Sequence, residues 1–310
     1  MPKPLSEHTF EDWLHLRPLT QTYKNLVYDA ENALHVRRPA LAGDVGAVAR
    51  GLGGSNVLIT LAYEDPQAIE WQVRLVRRYV PHDVYLIADN SFDDEAAAAI
   101  RAVAERSAAP YVRLPRNRRR LSHNHGLALN WLWRNLVRPG APAAFGFLDD
   151  DFFPTAPDDP FARLAEQDFY GFVRHAGDRW FLWAGFCLFR FSAVADKPLD
   201  FRPDYFDGLD TGGGNWEVLY RHADLARLRT APMTTMPYKI GVAVAESYFQ
   251  WSDGWLHEVG MDGCAPLQAD KRAVVAALLA PHLDKSLPGE RLAAALSLAA
   301  QLRPVLQPLS

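Results

Sequence analysis

The chain has 310 residues, of which 49% are hydrophobic and 23% charged, and its net charge at pH 7 is -4. This composition is typical of a globular protein with one large domain or two modest ones, and the acidic balance argues against a general nucleic-acid binder. With only two cysteines, Cys187 and Cys264, a disulfide framework or a cysteine-rich zinc site is not expected.

The N-terminal residues MPKPLSEHTFEDW contain no apolar core of signal-peptide length. No run of about eighteen uncharged apolar residues occurs along the sequence, so no transmembrane segment is expected. These two features, together with the low cysteine content, predict a cytoplasmic protein.

The first 54 residues mix aromatic and polar residues and end in the glycine-rich GLGGS, which predicts a partly helical extension. From residue 55 onward the runs NVLITLAY, VYLIAD, YVRLP and AFGFLDD predict strands, and helical patterns separate them. The helix between the first two strands is predicted to begin at Pro66, and Ser122 is predicted to cap the helix through LALNWLWRNLV. This alternation predicts βαβ units and a mainly parallel sheet that binds ligands at the carboxyl ends of its strands.

The pattern changes after Asp151. The aromatic runs DFYGFVRH and RWFLWAGFCLFRFS follow each other without a helix between them, which predicts an antiparallel portion. GLDTGGGNWEVLYRH is interpreted as a glycine loop that leads into a short helix with Asn215 as its cap.

The last forty or so residues are rich in Ala and Leu, and Pro281 and Pro288 interrupt them, so two amphipathic helices are predicted. Packing or a homodimer contact is their expected role, with binding to a membrane surface as the alternative. The predicted division is an N-terminal extension over residues 1–54, a main domain over 55–265 with halves 55–153 and 154–265, and a helical tail over 266–310.

Three adjacent aspartates, Asp149, Asp150 and Asp151, directly follow an apolar strand. In a strand Asp149 and Asp151 point to the same face, where their carboxylates repel each other unless a cation or a proton lies between them. Oxygen ligands suit Mg²⁺ or Mn²⁺, ions that usually keep waters and bridge to substrate phosphates. The alternative is a solvated acidic turn, which the apolar strand before the triplet disfavours.

Two further clusters accompany the triplet. In IADNSFDDE, Asp89 ends a strand at the same sheet edge and could accept hydrogen bonds from a uracil or thymine ring or from a ribose, whereas Ser91 or Asp93 is interpreted as a helix cap. In PRNRRRLSHNHG, arginines stand ahead of a predicted helix start, a combination that favours phosphate. A solvated basic loop is the alternative for these arginines, and His123 and His125 are either ligand contacts or surface histidines.

Together these clusters resemble the nucleotide-sugar glycosyltransferases of the GT-A fold, especially the large family 2. LAYE stands where that family has a PTYN-like motif, ADNSFD where it has a DDGSxD-like motif, and RN with SHNHG where it has an ARNxG-like helix start. FLDDD stands in the place of the metal-binding DXD motif. The order and spacing agree over residues 56–153, about a third of the chain.

The resemblance implies a GT-A fold with Mn²⁺ or Mg²⁺ as cofactor, and it assigns roles to individual residues. Asp89 would contact the nucleotide base, Asp149 and Asp151 would hold the donor ribose and the metal, and the late His257 would be a further metal ligand or else a packed core histidine. The full set of expected donor-binding residues is Ala62, Tyr63, Glu64, Asp89, Asn117, Arg120, Asn124, Asp149 and Asp150, with Asp151, Asp149 and His257 at the metal.

The acidic ED pair that carries the catalytic base in the family is absent, and FDGLDTGGGNWE occupies its place. Asp210, which precedes a flexible glycine run, is the preferred candidate for the base. Glu217 is the second candidate, since an acidic residue at a helix start also has an ordinary electrostatic explanation.

The predicted function is metal-dependent transfer of a sugar from a UDP-, dTDP- or GDP-sugar to the hydroxyl of a carbohydrate or another acceptor. Inversion at the anomeric carbon is implied by the resemblance alone. One alternative is a non-catalytic sugar- or nucleotide-binding protein of the same fold. The other is a Mg²⁺-dependent phosphatase-like hydrolase, which Phe153 disfavours because Thr or Val is expected at that position.

Overall fold

The computed structural model describes residues 5–117, 121–205, 207–239, 246–259 and 265–283. Its α-helices are α1 (Phe10–Leu14), α2 (Arg17–His35), α3 (Val45–Gly51), α4 (Pro66–Tyr79), α5 (Asp94–Ser107), α6 (Leu121–Leu132), α7 (Arg138–Gly140), α8 (Phe191–Val194) and α9 (Ala265–Leu283). Its strands are β1 (Asn56–Ala62), β2 (Val84–Asp89), β3 (Tyr111–Arg113), β4 (Ala144–Asp149), β5 (Phe152–Pro154), β6 (Phe169–Ala176), β7 (Arg179–Arg190), β8 (Thr234–Lys239), β9 (Glu246–Ser252) and β10 (Trp255–His257).

The larger sheet has six strands in the order β3-β2-β1-β4-β7-β6. Strands β3, β2, β1 and β4 are parallel to one another. Strand β7 runs antiparallel to β4 and forms a hairpin with β6. A second sheet of four antiparallel strands has the order β5-β10-β9-β8. The predicted fold class, α/β with a mainly parallel sheet and an antiparallel portion, is therefore confirmed.

The chain divides into two compact units whose segments alternate along the sequence. Unit 1 consists of Met1–Glu64, His82–Asp149 and Phe161–Thr230, and unit 2 consists of Asp65–Pro81, Asp150–Pro160 and Ala231–Ser310. The division into an extension, a main domain and a tail that the sequence suggested stays a prediction.

Unit 1 is built around the parallel strands, which are buried along almost their whole length. This explains why they are continuous apolar runs rather than alternating ones. Helix α5 buries one face against the sheet through Ala97, Ile100 and Val103, and the side chain of Asp93 accepts from the Ala96 N–H at its start. The predicted cap at Asp93 is confirmed.

Unit 2 has its own core. Helix α4 begins at Pro66, as predicted, and the side chain of Asp65 caps it by accepting from the Ala68 N–H. Its buried face packs with residues of β5, β9, β10 and α9, among them Phe153, Leu256 and Val275.

Two predicted caps are wrong. Ser122 is the second residue of α6 rather than the residue before it. Asn215 ends a short 3-10 helix that begins at Gly213, and its side-chain oxygen accepts from the Asp200 N–H instead of capping a helix. In both cases local propensity favours a cap, but the neighbouring chain fixes a different geometry.

The terminal predictions have separate outcomes. The described part of the N-terminal extension is partly helical, as predicted, since it contains α1, α2 and α3. At the other end, Pro281 lies inside α9 rather than after it, and the second predicted helix falls in residues 284–310, outside the described residues. None of the helices in the described ranges has the length and apolarity that a bilayer crossing requires.

The buried His35 makes the stability of the fold depend on pH. Burial, with a smaller contribution from Arg38, lowers the pKa of His35 from 6.5 to about 4, against the opposing effect of Glu31. Between these two values the unfolded chain takes up a proton that the folded chain does not, so the free energy of unfolding falls as the pH drops from about 6.5 to about 4.

We expect His35→Gln to lose less stability than the wild type between pH 7 and pH 5, because the substituted side chain cannot take up that proton. Urea denaturation at the two pH values measures the difference. His175→Gln removes an exposed imidazole and is the matched control. Equal pH dependence in the wild type and His35→Gln would contradict the assignment.

Candidate functional site

The carboxyl edge of the parallel sheet in unit 1 carries two of the predicted carboxylates. Asp89 at the end of β2 lies opposite Ala62, the last residue of β1, and Asp149 at the end of β4 lies opposite Leu61. Because successive residues of a strand point to opposite faces, Asp89 and Asp149 share an edge of the sheet but lie on different faces.

Asp89 is fully buried and both of its carboxylate oxygens accept hydrogen bonds. Oδ1 accepts from the Ser91 N–H at 2.9 Å, and Oδ2 accepts from the Tyr111 hydroxyl at 2.6 Å. Burial and this hydrogen bond to Asp89 raise the pKa of Tyr111. Asp89 therefore links the end of β2 to the start of β3. Its contact with a nucleotide base stays a prediction.

The LAYE motif is tied to the loop before α5. Glu64 has a left-handed backbone with φ of 53°. Its Oε1 accepts from the N–H groups of Phe92 and Asp93 at 3.3 and 3.2 Å, and its own N–H donates to Ser91 Oγ. The Tyr63 side chain is partly exposed, and its partial burial, followed by the neighbouring Glu64, raises the pKa of its hydroxyl. Glu64 thus orders the loop that leads away from Asp89.

Asp149 has a histidine and a glycine beside it. His125 Nε2, on α6, lies 3.3 Å from Asp149 Oδ1. A Cβ on Gly185 of β7 would lie 2.4 Å from Asp149 Oδ2 and 2.2 Å from the Trp183 ring, so only glycine fits there. The glycine-containing strand predicted from WAGFCLFRFS therefore lies against the first aspartate of the triplet.

The basic cluster is the segment PRNRRRLSHNHG, residues 115–126, and its described residues have different surroundings in unit 1. Asn124 on α6 is buried, and its Oδ1 has no hydrogen-bond donor within the described part of the chain. Asn117 lines a cleft of about 900 Å³ together with Phe92 and Arg116. Arg116 forms an ion pair with Asp94. Arg120, predicted to bind the donor, lies outside the described residues, as do Arg118 and Arg119.

His123 also has a packing role. Its Nε2 lies 3.3 Å from Glu31 Oε2 and its ring packs against Tyr28. It is buried by α2, which favours a structural histidine over a ligand contact at this position.

The strand that ends in Asp149 does not continue through the rest of the triplet. Asp150 and Asp151 form a turn, and β5 begins at Phe152, so the expectation that Asp149 and Asp151 point to one face of a single strand is wrong. Two buried phenylalanines, Phe152 and Phe153, start the new strand immediately. The turn arises because the chain leaves one sheet and enters the other at these residues.

Asp151 and His257 come together in unit 2. His257 Nε2 lies 3.3 Å from Asp151 Oδ1, and His257 Nδ1 lies 2.9 Å from Gln250 Oε1. With the glutamine oxygen assigned as acceptor, Nδ1 carries the proton in the neutral imidazole and Nε2 presents its lone pair to the carboxylate. Two electron-rich atoms this close attract a proton or a cation between them.

This pair fits a divalent cation bound with substrate. Burial raises the pKa of Asp151, but a protonated His257 that donates from Nε2, followed by Arg272 and Lys271, more than offsets this effect and lowers it, so the carboxylate is ionised at neutral pH. A cation that replaces the Nε2 proton would supply the same positive charge. Within the described residues no group of three or more His, Cys, Asp or Glu could hold a metal ion. A two-ligand set suits an ion whose remaining ligands are waters and substrate phosphates, and it does not suit a closed structural metal centre.

A buried charge network lies beside this pair, and the sequence analysis did not identify it. Arg272 of α9 contacts Asp65 at 2.6 Å and the fully buried Glu258 at 3.0 Å, while the Glu258 N–H donates to the Asp151 carbonyl at 3.0 Å. Burial raises the pKa of Glu258 to about 7, against the lowering effect of Arg272. In the sequence, this network is indicated only by Glu258, the acidic residue next to His257.

The two candidate bases differ in environment. Asp210 is exposed, and its Oδ1 accepts from the Thr211 N–H at 2.8 Å. Glu217 is largely buried and forms an ion pair with Arg221. Gly212 has φ of 97°, and a Cβ there would lie 2.4 Å from the Leu182 carbonyl. The glycines therefore let this loop pack against β7, a structural reason that the sequence analysis did not consider.

Comparisons with known proteins add a limited similarity. No protein-family model matches the chain, and no curated protein sequence matches it. A mannosyltransferase from Pyrobaculum calidifontis, solved with GDP-Man and Mn²⁺, is similar with 16% identity and a TM-score of 0.35, over 58% of this chain and 56% of its own. Glucosyl-3-phosphoglycerate synthase from Mycobacterium tuberculosis, solved with Mn²⁺, UDP and glucosyl-3-phosphoglycerate, is similar with 19% identity and a TM-score of 0.28, over 45% and 51%. The chain thus spans about half the length of these structures, and similarity at this level is no argument for a shared activity.

Arg272 should be essential for the stability of unit 2. We expect Arg272→Met to lower the free energy of unfolding by about 3–5 kcal/mol, because it leaves the buried Glu258 carboxylate without its counter-charge. Adding Glu258→Gln should recover a large part of the loss. Chemical denaturation at pH 8 measures both variants.

Arg227→Met is the control for this experiment, since Arg227 pairs with Asp224 at the exposed surface. An exposed ion pair contributes about 0–1 kcal/mol. If Arg272→Met costs no more than Arg227→Met, the buried network does not stabilise the unit.

Proposed function

We propose that the protein is a metal-dependent glycosyltransferase that moves a sugar from a nucleoside-diphosphate sugar to an acceptor hydroxyl. The observation that carries the proposal is the pairing of Asp151 Oδ1 with His257 Nε2, while Gln250 fixes the other ring nitrogen. Asp151 comes two residues after the end of β4, the last of the four parallel strands in chain order. The motifs at the ends of these strands appear in the order that the resemblance to family 2 requires.

We assign the nucleoside part of the donor to the carboxyl edge of the sheet in unit 1. Asp89 and Asp149 lie at that edge, and His125 and Gly185 hold the Asp149 carboxylate in place. Asn124, whose buried oxygen has no donor within the described residues, offers a further acceptor for the ligand. The base would be uracil, thymine or guanine.

We assign the cation to Asp151 and His257, with Mn²⁺ favoured over Mg²⁺ because Mg²⁺ takes oxygen rather than nitrogen ligands. When bound, the ion would neutralise the charge that develops on the leaving diphosphate. The residues of the chain prepare this site, since Gln250 orients the imidazole, and His257, followed by Arg272 and Lys271, lowers the pKa of Asp151.

We assign the role of catalytic base to Asp210. A base must reach the acceptor hydroxyl, and the exposed Asp210 carboxylate is bound only on one side, by Thr211, among the contacts that the structure describes. Glu217 would first have to break its ion pair with Arg221. Inversion, membership of family 2 and a cytoplasmic location complete the proposal on the strength of the sequence.

A non-catalytic nucleotide-sugar-binding protein is the second candidate, and a specific observation favours it. The ED pair is absent, and the more buried of the two candidate bases is held by an arginine. Steady release of free nucleoside diphosphate in the presence of acceptor would distinguish an enzyme from a binding protein. The phosphatase-like alternative is less favoured, because Phe153 is buried in the core of unit 2.

The metal assignment predicts the behaviour of Asp151→Asn. We expect this variant to bind GDP and UDP no more tightly with Mn²⁺ than without it, because a neutral amide is a poor ligand for the ion. Isothermal titration calorimetry with each nucleotide, with and without Mn²⁺, measures the effect. Asp253→Asn, a change of the same charge in the exposed turn after β9, should retain the metal dependence of the wild type. Metal-dependent binding that persists in folded Asp151→Asn would refute the assignment.

The base assignment predicts the kinetics of Asp210→Asn. We expect kcat to fall by at least about a hundredfold with nearly unchanged donor affinity, since the carboxylate acts only on the acceptor proton. Glu217→Gln is the paired variant and should retain turnover within a few fold. The opposite pattern, with turnover lost only in Glu217→Gln, would transfer the role to Glu217.

A further inference from the structure

Helix α2 turns its polar side chains toward its own unit. Gln21 and His35 are each only 3% exposed, and Asn32 Oδ1 accepts from Asn130 Nδ2 of α6. Tyr28 of α2 packs against His123, which lies on α6 like Asn130. The face that a surface helix normally fills with apolar residues is therefore occupied here by amides, a histidine and a tyrosine.

The opposite face of α2 is apolar and exposed. At 100° per residue its apolar side chains fall within an arc of about 120°, centred roughly 170° from the buried polar residues. We call this surface the outer face; it consists of Leu19, Tyr23, Leu26, Val27, Ala30 and Leu34, with Leu16 directly before the helix. Three of these residues, Val27, Ala30 and Leu34, also line the cleft that contains Asn117. Tyr23 and Leu26 are 69% and 64% exposed. The helix is thus amphipathic in the reverse orientation.

The preceding helix α1 carries further exposed apolar side chains. Phe10, Trp13 and Leu14 are also exposed. Of the fourteen large hydrophobic residues that are exposed in the described part of the chain, eleven lie between residues 5 and 41. Scattered apolar residues need no explanation, but such a concentration marks an interaction surface.

We infer that the outer face binds the outer face of a second copy of this chain, with the two α2 helices antiparallel. A straight apolar stripe is complementary to itself under a two-fold axis, as an isologous contact requires. Antiparallel packing also aligns the opposite ends of the two helix dipoles.

The charges beside the stripe support this orientation. Lys24 and Glu31 are seven residues apart on one rim beside the outer face, and Glu31 also contacts His123. In an antiparallel two-fold pair the same rims meet head to tail, so the basic end of one helix lies beside the acidic end of the other.

The charges also argue against a membrane surface as the occupant. Helices that lie on anionic membranes are rich in Lys and Arg. The segment that spans α1 and α2 is instead mainly acidic, with basic residues Arg17 and Lys24 against acidic residues Glu11, Asp12, Asp29 and Glu31.

The apolar area comes close to the range that a specific dimer needs. Full burial of a large apolar side chain removes roughly 60–120 Å² from water. Eight such side chains on α1 and α2 are between 39% and 80% exposed, and together they present on the order of 300–600 Å² per copy. With the stems of the rim residues, two copies approach the ~1,200 Å² at which specific interfaces begin.

Cross-linking through single cysteines tests the arrangement in the full-length protein. In an antiparallel pair Leu26 lies near the two-fold axis, so Leu26→Cys should form a covalent dimer with a short bis-maleimide. Leu34→Cys on the same face should not, because the two copies of residue 34 would be roughly 25 Å apart. Wild-type protein, which carries the buried Cys187 and also Cys264, gives the background. Equal cross-linking of both variants or of neither would overturn the antiparallel contact.

Sedimentation equilibrium gives the second measurement. We expect a wild-type dimer at about 50 µM, and a shift to monomer in Leu19→Gln/Leu26→Gln with unchanged circular dichroism. Leu41→Gln removes an exposed leucine outside the outer face and should remain dimeric. A monomeric wild type, a dimeric double variant, or a monomer that floats with phosphatidylcholine–phosphatidylglycerol vesicles would each refute the proposal.

Discussion

A buried carboxylate is stable only beside a donor or a cation, and this constraint organises both units. Asp89 has Tyr111 and the Ser91 N–H, Asp149 has His125, Asp151 has His257, and Glu258 has Arg272. Except for the Ser91 N–H, each partner comes from a strand or helix other than the one next to its carboxylate. The acidic residues therefore do not merely decorate strand ends, because each one fastens an element that is distant in sequence.

The composition of residues 146–155, GFLDDDFFPT, follows from the position of this segment in the fold. The apolar half-strand before the triplet belongs to the core of unit 1, and Phe152 and Phe153 belong to unit 2. Three aspartates fall where the chain passes from one sheet to the other, and two of them form the turn. The abrupt change from apolar to acidic and back to aromatic therefore follows from the fold, whether or not a metal binds there.

Much of the fold could be predicted because its signals are local. The four parallel strands, the helix that begins at Pro66 and the hairpin of aromatic strands all follow from hydrophobic runs, turn residues and caps. The charged contacts could not be predicted in this way. Arg272 reaches Asp65 from α9, and Gln250 reaches His257 only through the antiparallel register of β9 and β10, so neither pair has a signal in the spacing of the sequence.

Helix α2 shows a different limit of sequence analysis. Periodicity identifies an amphipathic helix, but it does not say which face points toward the protein, and burial of the apolar face is normally assumed. Here Asn130 and His123 of α6 supply polar partners, so the polar face of α2 is the one that packs. The orientation of α2 is thus decided by residues about a hundred positions away. Its exposed leucines are a consequence of those polar contacts, because the side of α2 that would normally bury them is occupied by amides, a histidine and a tyrosine.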